Sequence, residues 1–323
     1  MTAMTHDGRA SGFGSGLAFA LTSAVSFGLS GPLARGLMDV GWSAGATVTL
    51  RILIAAAVLM VPALIALRGR WHLIRAGLPI MAAYGLSAVT LAQFAFFNSI
   101  RYLPVGMGLL IEYTAPVAVV VWLWLRHGHR PTWVTVLGAA IAALGLVLVL
   151  DIFTGGQVNG LGLMWGLLAM FGAASYFLIS ADENNGLPPL VLAAGGLIIG
   201  GGALLLLGGL GLVPMRMNFD DARYAVGSIA WWWPVLGLGL ITAALAYVAG
   251  IAGVRRLGSR LASFVALTEV LAALGFAWLL LAELPGPVQF VGAALILGGV
   301  IVVKLGERPS PDHHLSDDLA VGV

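Results

Sequence analysis

Residues 101–125 read RYLPVGMGLLIEYTAPVAVVVWLWL, and residues 255–279 read RRLGSRLASFVALTEVLAALGFAWL. At an offset of 154 the two stretches superpose without a gap, and the register continues to residues 149 and 303. Arg101 meets Arg255, Leu103 meets Leu257, Thr114 meets Thr268 and Ala118 meets Ala272. Further on, Trp124-Leu125 falls on Trp278-Leu279, Pro131 on Pro285, Gly138-Ala139-Ala140 on Gly292-Ala293-Ala294, Gly145 on Gly299 and Val149 on Val303. An apolar alphabet alone does not place tryptophan, proline and arginine in a common register. The chain reads as an internal duplication.

Outward from that repeat the composition is that of a bilayer protein. The 323 residues are 60% hydrophobic and 9% charged, against roughly a quarter charged in a soluble domain. Apolar runs of about 20 residues are long enough to cross the hydrocarbon core, and a helix satisfies its backbone hydrogen bonds within one segment. A β-barrel needs alternation of apolar and polar residues, which Leu146-Val147-Leu148-Val149-Leu150 does not provide. Spans fall near 13–38, 45–67, 77–100, 104–125, 133–150, 161–180, 187–210, 233–254, 260–281 and 286–304. The expected fold is therefore an all-α integral membrane protein of ten transmembrane helices in two five-helix repeats, 13–150 and 161–305. A polar segment, 1–12, precedes them, and a solvated tail, 306–323, follows. No cleavable small-residue site follows the first apolar run, so residues 1–12 are not read as a signal peptide.

Five crossings per half is an odd number, so the second copy enters the membrane inverted. Inverted repeats offer two near-equivalent packings, one open to each side, as many transporters use; a duplicated structural subunit is the alternative. With a cytoplasmic amino terminus, the inner segments hold Arg9, Arg68, Arg70, Arg75, Arg126, Arg130, Arg255, Arg256, Arg260, Lys304 and Arg308. The outer side holds Arg35, Arg51, Arg101, Arg216 and Arg223. This bias places both termini inside, with the cation-free Asp182-Glu183-Asn184-Asn185 loop dissenting. Arg35 and Arg51 are expected to snorkel outward from the ends of their spans.

Two carboxylates lie deep in spans: Glu112 in the fourth and Glu269 in the ninth. A charge at mid-helix costs several kcal/mol, so each must face the protein interior or water, or carry a proton. Under the repeat Glu269 falls on Ala115, three residues from Glu112, and a three-residue step stays on nearly the same helix face. Both glutamates, with Tyr113 and Thr268 beside them, are candidates for binding a substrate amine or a proton; interhelical hydrogen bonding is the alternative. Ser26, Tyr84, Gln93, Asn98, Ser175, Tyr176, Thr242 and Tyr247 are further polar residues of the spans. Each either lines a site or is satisfied by its own helix or a neighbour. Pro32 and Pro116 remove backbone donors within spans and mark candidate hinges or plain kinks. Gly196 and Gly200 form a small-residue pair suited to close packing. Trp231-Trp232-Trp233 read as an interfacial belt, and residues 216–226, with Asn218 ahead of Asp220-Asp221, as a short interfacial helix.

The chain has no phosphate-binding glycine loop with lysine and no HExxH. Its six histidines, at positions 6, 72, 127, 129, 313 and 314, all lie outside the spans. His313-His314 could hold a metal but belongs to the solvated tail. Without cysteine there is no disulfide or thiolate-ligated metal. Neither a cofactor, a metal, an enzymatic activity nor a nucleic-acid partner is expected. The expected partners are the bilayer, a small-molecule substrate and protons, with the chain a monomer or homodimer.

Arg101-Tyr102-Leu103-Pro104 leading into Glu112-Tyr113-Thr114-Ala115-Pro116 resembles the EamA family of the drug/metabolite transporter superfamily. So do Arg255-Arg256-Leu257-Gly258 leading into Thr268-Glu269-Val270, then Leu281-Ala282-Glu283-Leu284 and Gln289-Phe290-Val291-Gly292-Ala293-Ala294. The likeness covers roughly residues 13–305. Where the family usually has proline after the glutamate of the ninth span, this chain has Val270. The Glu-Tyr-Thr-Ala-Pro run, with Tyr84-Gly85-Leu86-Ser87 upstream, is similar to the threonine/homoserine exporter branch. The resemblance implies ten helices with both termini inside, in the inner membrane. It also implies a cavity lined mainly by spans 1, 3, 4, 6, 8 and 9, and export of metabolites. Uptake or sugar-nucleotide exchange is the alternative within transport, and an intramembrane enzyme the alternative outside it.

Overall fold

The computed structural model describes residues 5–103, 105–127, 131–149, 159–182, 186–282 and 286–306. Pro104, Glu183-Asn184-Asn185, Glu283-Leu284-Pro285 and the tail with His313-His314 lie outside them. The first half comprises α1 (Thr5–Gly28), α2 (Ser30–Met38), α3 (Ala44–Leu67), α4 (His72–Ala83), α5 (Ala92–Tyr102), α6 (Val105–Glu112), α7 (Ala115–His127) and α8 (Trp133–Val149). The second comprises α9 (Gly160–Ala181), α10 (Pro189–Gly209), β1 (Ala222–Tyr224), β2 (Gly227–Ile229), α11 (Trp232–Gly239), α12 (Ala246–Val265), α13 (Thr268–Leu281) and α14 (Pro287–Gly306). Six helical stretches are long and apolar enough to cross a membrane: Phe13–Met38, Ala44–Leu67, His72–Tyr102, Gly160–Ala181, Pro189–Gly209 and Trp232–Val265. Local chemistry sets their starts. The Ser43 hydroxyl caps α3 by accepting from the Ala46 N–H at 3.2 Å, and Asn159 Oδ1 caps α9 by accepting from the Leu161 N–H at 2.9 Å, each relieving an orphan donor.

The repeat is visible in the packing. α1 packs along α12 as α9 packs along α5, while α8 packs on α14 and α3 on α10. At the α8–α14 contact, Gly138 lies against the Gly299 carbonyl and Gly145 against the Gly292 carbonyl. As one helix advances from 138 to 145 its partner recedes from 299 to 292, so the two run antiparallel. Only glycine permits this approach: a Cβ on Gly145 would stand 2.6 Å from the Gly292 oxygen. Gly196 and Gly200, the expected small-residue pair, similarly receive Tyr84 and Gly85.

Both halves also carry a π-helical stretch, Tyr84–Leu91 between α4 and α5 and Leu240–Leu245 between α11 and α12. At the 154-residue offset the first maps onto 238–245, covering the second. Such stretches reroute backbone hydrogen bonds and are frequent at functional sites.

Two expected spans prove discontinuous. The fourth breaks at Tyr113-Thr114, between α6 and α7, and the ninth at Ala266-Leu267, between α12 and α13. The eighth does not end at 254; helical structure continues to Val265 through a kink at Gly258, whose φ of +80° suits glycine. The two breaks lie within a residue of each other in the repeat, and the same group seals both. The Thr114 hydroxyl donates to the Ile111 carbonyl and the Thr268 hydroxyl to the Val265 carbonyl, each at 2.7 Å. Pro116 is the second residue of α7, where a missing N–H costs nothing. The ninth-span break forms with Val270 in the corresponding place, so proline is not its cause. Pro32 sits in the first turn of α2, just after a third break at Leu29.

The short helix expected at 216–226 is instead a hairpin. β1 and β2 pair antiparallel, with Ala222 opposite Ile229 and Tyr224 opposite Gly227. Asn218, which looked like a helix cap, closes a local turn with the Asp220 N–H at 3.2 Å and donates to the Val40 carbonyl at 2.6 Å. An asparagine that serves a cap serves such a turn equally well. The segment is stitched across one end of the bundle. Ser43 Oγ donates to the Pro214 carbonyl at 2.7 Å, Tyr224 Oη to the Leu33 carbonyl at 2.8 Å, and the Ala225 N–H to the Leu280 carbonyl at 2.7 Å. Trp232 and Trp233 stack at 4.3 Å and are exposed, whereas Trp231 packs on Trp42 and Phe219. Arg35 does lie at an exposed end, where it pairs with Asp39 at 3.1 Å.

Candidate functional site

The breaks place the glutamates. Glu112 is the last residue of α6 and Glu269 the second of α13. Both line one internal cavity of about 80 Å³, together with Ala115 and Ala266. In the repeat Glu112 corresponds to Ala266 and Ala115 to Glu269. All four positions face the same space, with acid and alanine exchanged between the halves. The carboxylates therefore meet as expected, but from opposite sides of paired helix breaks and not along one continuous helix face. Tyr113 also lines the cavity, and its hydroxyl faces the Glu269 carboxyl.

The rest of the wall is aromatic and small. Phe27, Tyr176, Phe177 and Tyr247 line it. Phe27 meets Tyr247 edge-on at 5.2 Å, and Tyr176 meets Tyr247 at 6.0 Å. Tyr84 backs both tyrosines at 6.1 and 6.4 Å. The hydroxyls of Tyr84, Tyr176 and Tyr247 are buried beside Ser180, Ser23 and Gln93, yet none closes a hydrogen bond. Gly250 faces the Tyr176 hydroxyl directly.

A smaller chamber of about 30 Å³ adjoins the first and shares Phe27, Gln93, Glu112 and Glu269 with it. It is closed by Ser30 and Gly31 of the broken first span and by Arg51. Arg51 does not snorkel. It is 1% exposed, and its guanidinium donates to Gln93 Oε1 and to the Thr242 carbonyl. The rings of Phe27 and Phe97 flank it at 5.7 and 5.8 Å. Thr242 sits in the second π-helical stretch, whose irregularity frees that carbonyl: the Ala246 N–H reaches Ile241 and Ala243 instead. Arg51 lies eight residues into α3, about two turns from its start. That depth was the sequence signal for burial, and the default of an outward-reaching arginine concealed it.

Several expected site residues have other duties. Asn98 donates to the Phe94 carbonyl at 2.8 Å, and Ser175 donates to the Phe171 carbonyl at 2.8 Å on an exposed face. Ser26 is buried but lines neither chamber. Thr242 spends its hydroxyl on Leu238 at 2.9 Å and contributes only its carbonyl; Thr268 seals the helix break. Sequence reasoning missed Ser23, which lines the cavity and donates to the Ala246 carbonyl at 2.9 Å.

The assembled site presents two carboxylates, a guanidinium, an amide and several hydroxyls to an enclosed, largely apolar space. That is a binding site for a small charged molecule with apolar parts.

The fold has relatives. An uncharacterized transporter of Archaeoglobus fulgidus is 27% identical over 227 residues, covering 70% of this chain and 77% of that protein. A solved crystal structure overlays with a TM-score of 0.72 at 19% identity, over 91% of this chain and 99% of the other, a likeness of fold. The profile of the EamA-like transporter family matches residues 14–151 and again 160–305, one match per half. This chain, a multi-pass membrane protein built from two such domains, belongs to the EamA-like transporter family.

Proposed function

We propose that the protein is a secondary transporter of the inner membrane that exports small amino-acid-like metabolites or related amines by alternating access, coupled to protons. The carrying observation is the meeting of Glu112 and Glu269 in one cavity, each held at a break in a repeat-related span. Glu112 engages the substrate amine, and Glu269 binds substrate or proton with it. Acidic groups in a closed apolar space suit a cation better than the phosphates of a nucleotide. The reciprocal, antiparallel Gly138–Gly299 and Gly145–Gly292 contacts support five-helix halves of opposite orientation. In that arrangement rocking of one half against the other moves the opening from side to side. Both termini then lie in the cytoplasm and the hairpin end faces outward.

Transport into reconstituted vesicles tests the site with Glu112→Gln and Glu269→Gln made separately. Each is expected to lose most of the amine transport, and wild-type rates in both would remove the assignment. Reporter fusions near Arg101 and Arg255 test the orientation. Reporters in opposite compartments are expected, and the same compartment for both would end the inverted-repeat reading.

A further inference from the structure

Arg51 is unused by an amine-binding site as such, and its burial is costly. A buried cation is tolerated when paired and hydrogen-bonded. Here both partners of the guanidinium are neutral oxygens, Nε has no partner, and among the described residues no carboxylate lies within 4 Å. The side chain nevertheless closes a chamber that Glu112 and Glu269 also line.

The two chambers order the chemistry. The smaller ends on Arg51, the waist holds Gln93, Glu112 and Glu269, and the larger is walled by Phe27, Phe177 and small side chains such as Ala24 and Ala88. We infer that Arg51 is the anchor for a substrate carboxylate, and that the substrates are zwitterions: a carboxylate on Arg51, an ammonium at the waist and an apolar side chain in the larger chamber. An α-amino acid with an apolar side chain carries those groups on three bonds of one carbon. The inference rests on the amine-binding reading above and goes beyond it by separating amino acids from plain amines.

Leucine, leucinamide and 3-methylbutylamine share the ammonium and the side chain, and only leucine has a carboxylate. Their binding to purified wild-type protein is measured by calorimetry, then repeated with Arg51→Gln and Arg51→Lys. Wild type is expected to prefer leucine by about tenfold or more, the worth of one charge-assisted hydrogen-bonded contact. Arg51→Gln abolishes that preference while amine affinity stays within about twofold, and Arg51→Lys, a point charge without the planar fork, retains part of it. Equal binding of all three ligands by wild type, or an equal loss of all three in Arg51→Gln, overturns the anchor and leaves the amine reading standing. Wild type binding none of them overturns both. The wild-type comparison decides the matter even where Arg51→Gln does not fold.

Discussion

Gly298 and Gly299 are neighbours on α14, and alanine is expected to act oppositely at the two. A Cβ on Gly298 meets nothing within 4 Å. Gly298→Ala therefore carries only the helix-propensity gain of alanine over glycine, up to about 1 kcal/mol. On Gly299 the same atom would stand 2.6 Å from the Ala142 nitrogen and 2.8 Å from the Gly138 carbonyl, where ordinary contact begins at 3.4 Å. The obstacles are backbone, so α8 and α14 must separate by about 0.8 Å, the difference between 3.4 and 2.6 Å. Overpacking of that kind costs about 1–3 kcal/mol. Because both variants share the propensity gain, they should differ in stability by that amount, Gly299→Ala being the weaker. Thermal unfolding in detergent, followed by tryptophan fluorescence, measures it. Adding Gly145→Ala tests the geometry further, since one separation relieves both clashes and the double variant should lose less than the sum. If Gly298→Ala and Gly299→Ala melt together, or the double variant is additive, the close antiparallel contact is refuted.

Gly250→Ala drives a methyl into the Tyr176 hydroxyl, beside Ser23. The ring must swing into the cavity, so vesicle transport is expected to fall at least about tenfold, the effect of roughly 1.4 kcal/mol, while the melting point moves little. Tyr224→Phe removes the hydrogen bond to Leu33 and should cost about 1 kcal/mol in a melting assay. Burial, with Asp39 nearby, raises the Tyr224 pKa above the ordinary tyrosine value of 10.0. A folded-state pKa raised above the unfolded one gives stability that is complete below pH 10 and wanes as pH climbs beyond it. Comparing wild type with Tyr224→Phe across pH 9–11 should show a steeper alkaline loss in wild type. Thr114→Val and Thr268→Val each remove one sealing hydrogen bond and should destabilise by similar amounts, about 0.5–1.5 kcal/mol; a large inequality between them would argue against equivalent breaks.

The spans were legible because a bilayer helix must be apolar along its whole length, and the duplication because glycine, tryptophan and proline positions resist drift in composition. The glutamates were legible through their cost. The breaks beside them were not, since a threonine hydroxyl that bonds a carbonyl three residues back looks in sequence like any membrane threonine. Arg51 was misread because whether an arginine reaches out or turns in depends on what the neighbouring helices offer. Here they offer Gln93 of the third span and a carbonyl freed by a π-helical stretch of the eighth. Asn218 failed as a helix signal for a related reason: its amide chose the Val40 carbonyl, 178 positions away.

The hairpin grips two helices with adjacent residues, Tyr224 on α2 and Ala225 on the last turn of α13. Any widening of that end that parts α2 from α13 must first unfasten one of those grips. Each kcal/mol in such a clasp shifts the ratio of shut to open about fivefold. The loop thus sets how long the molecule waits with that mouth sealed, a delay tunable from a surface residue without touching the groups that hold the cargo.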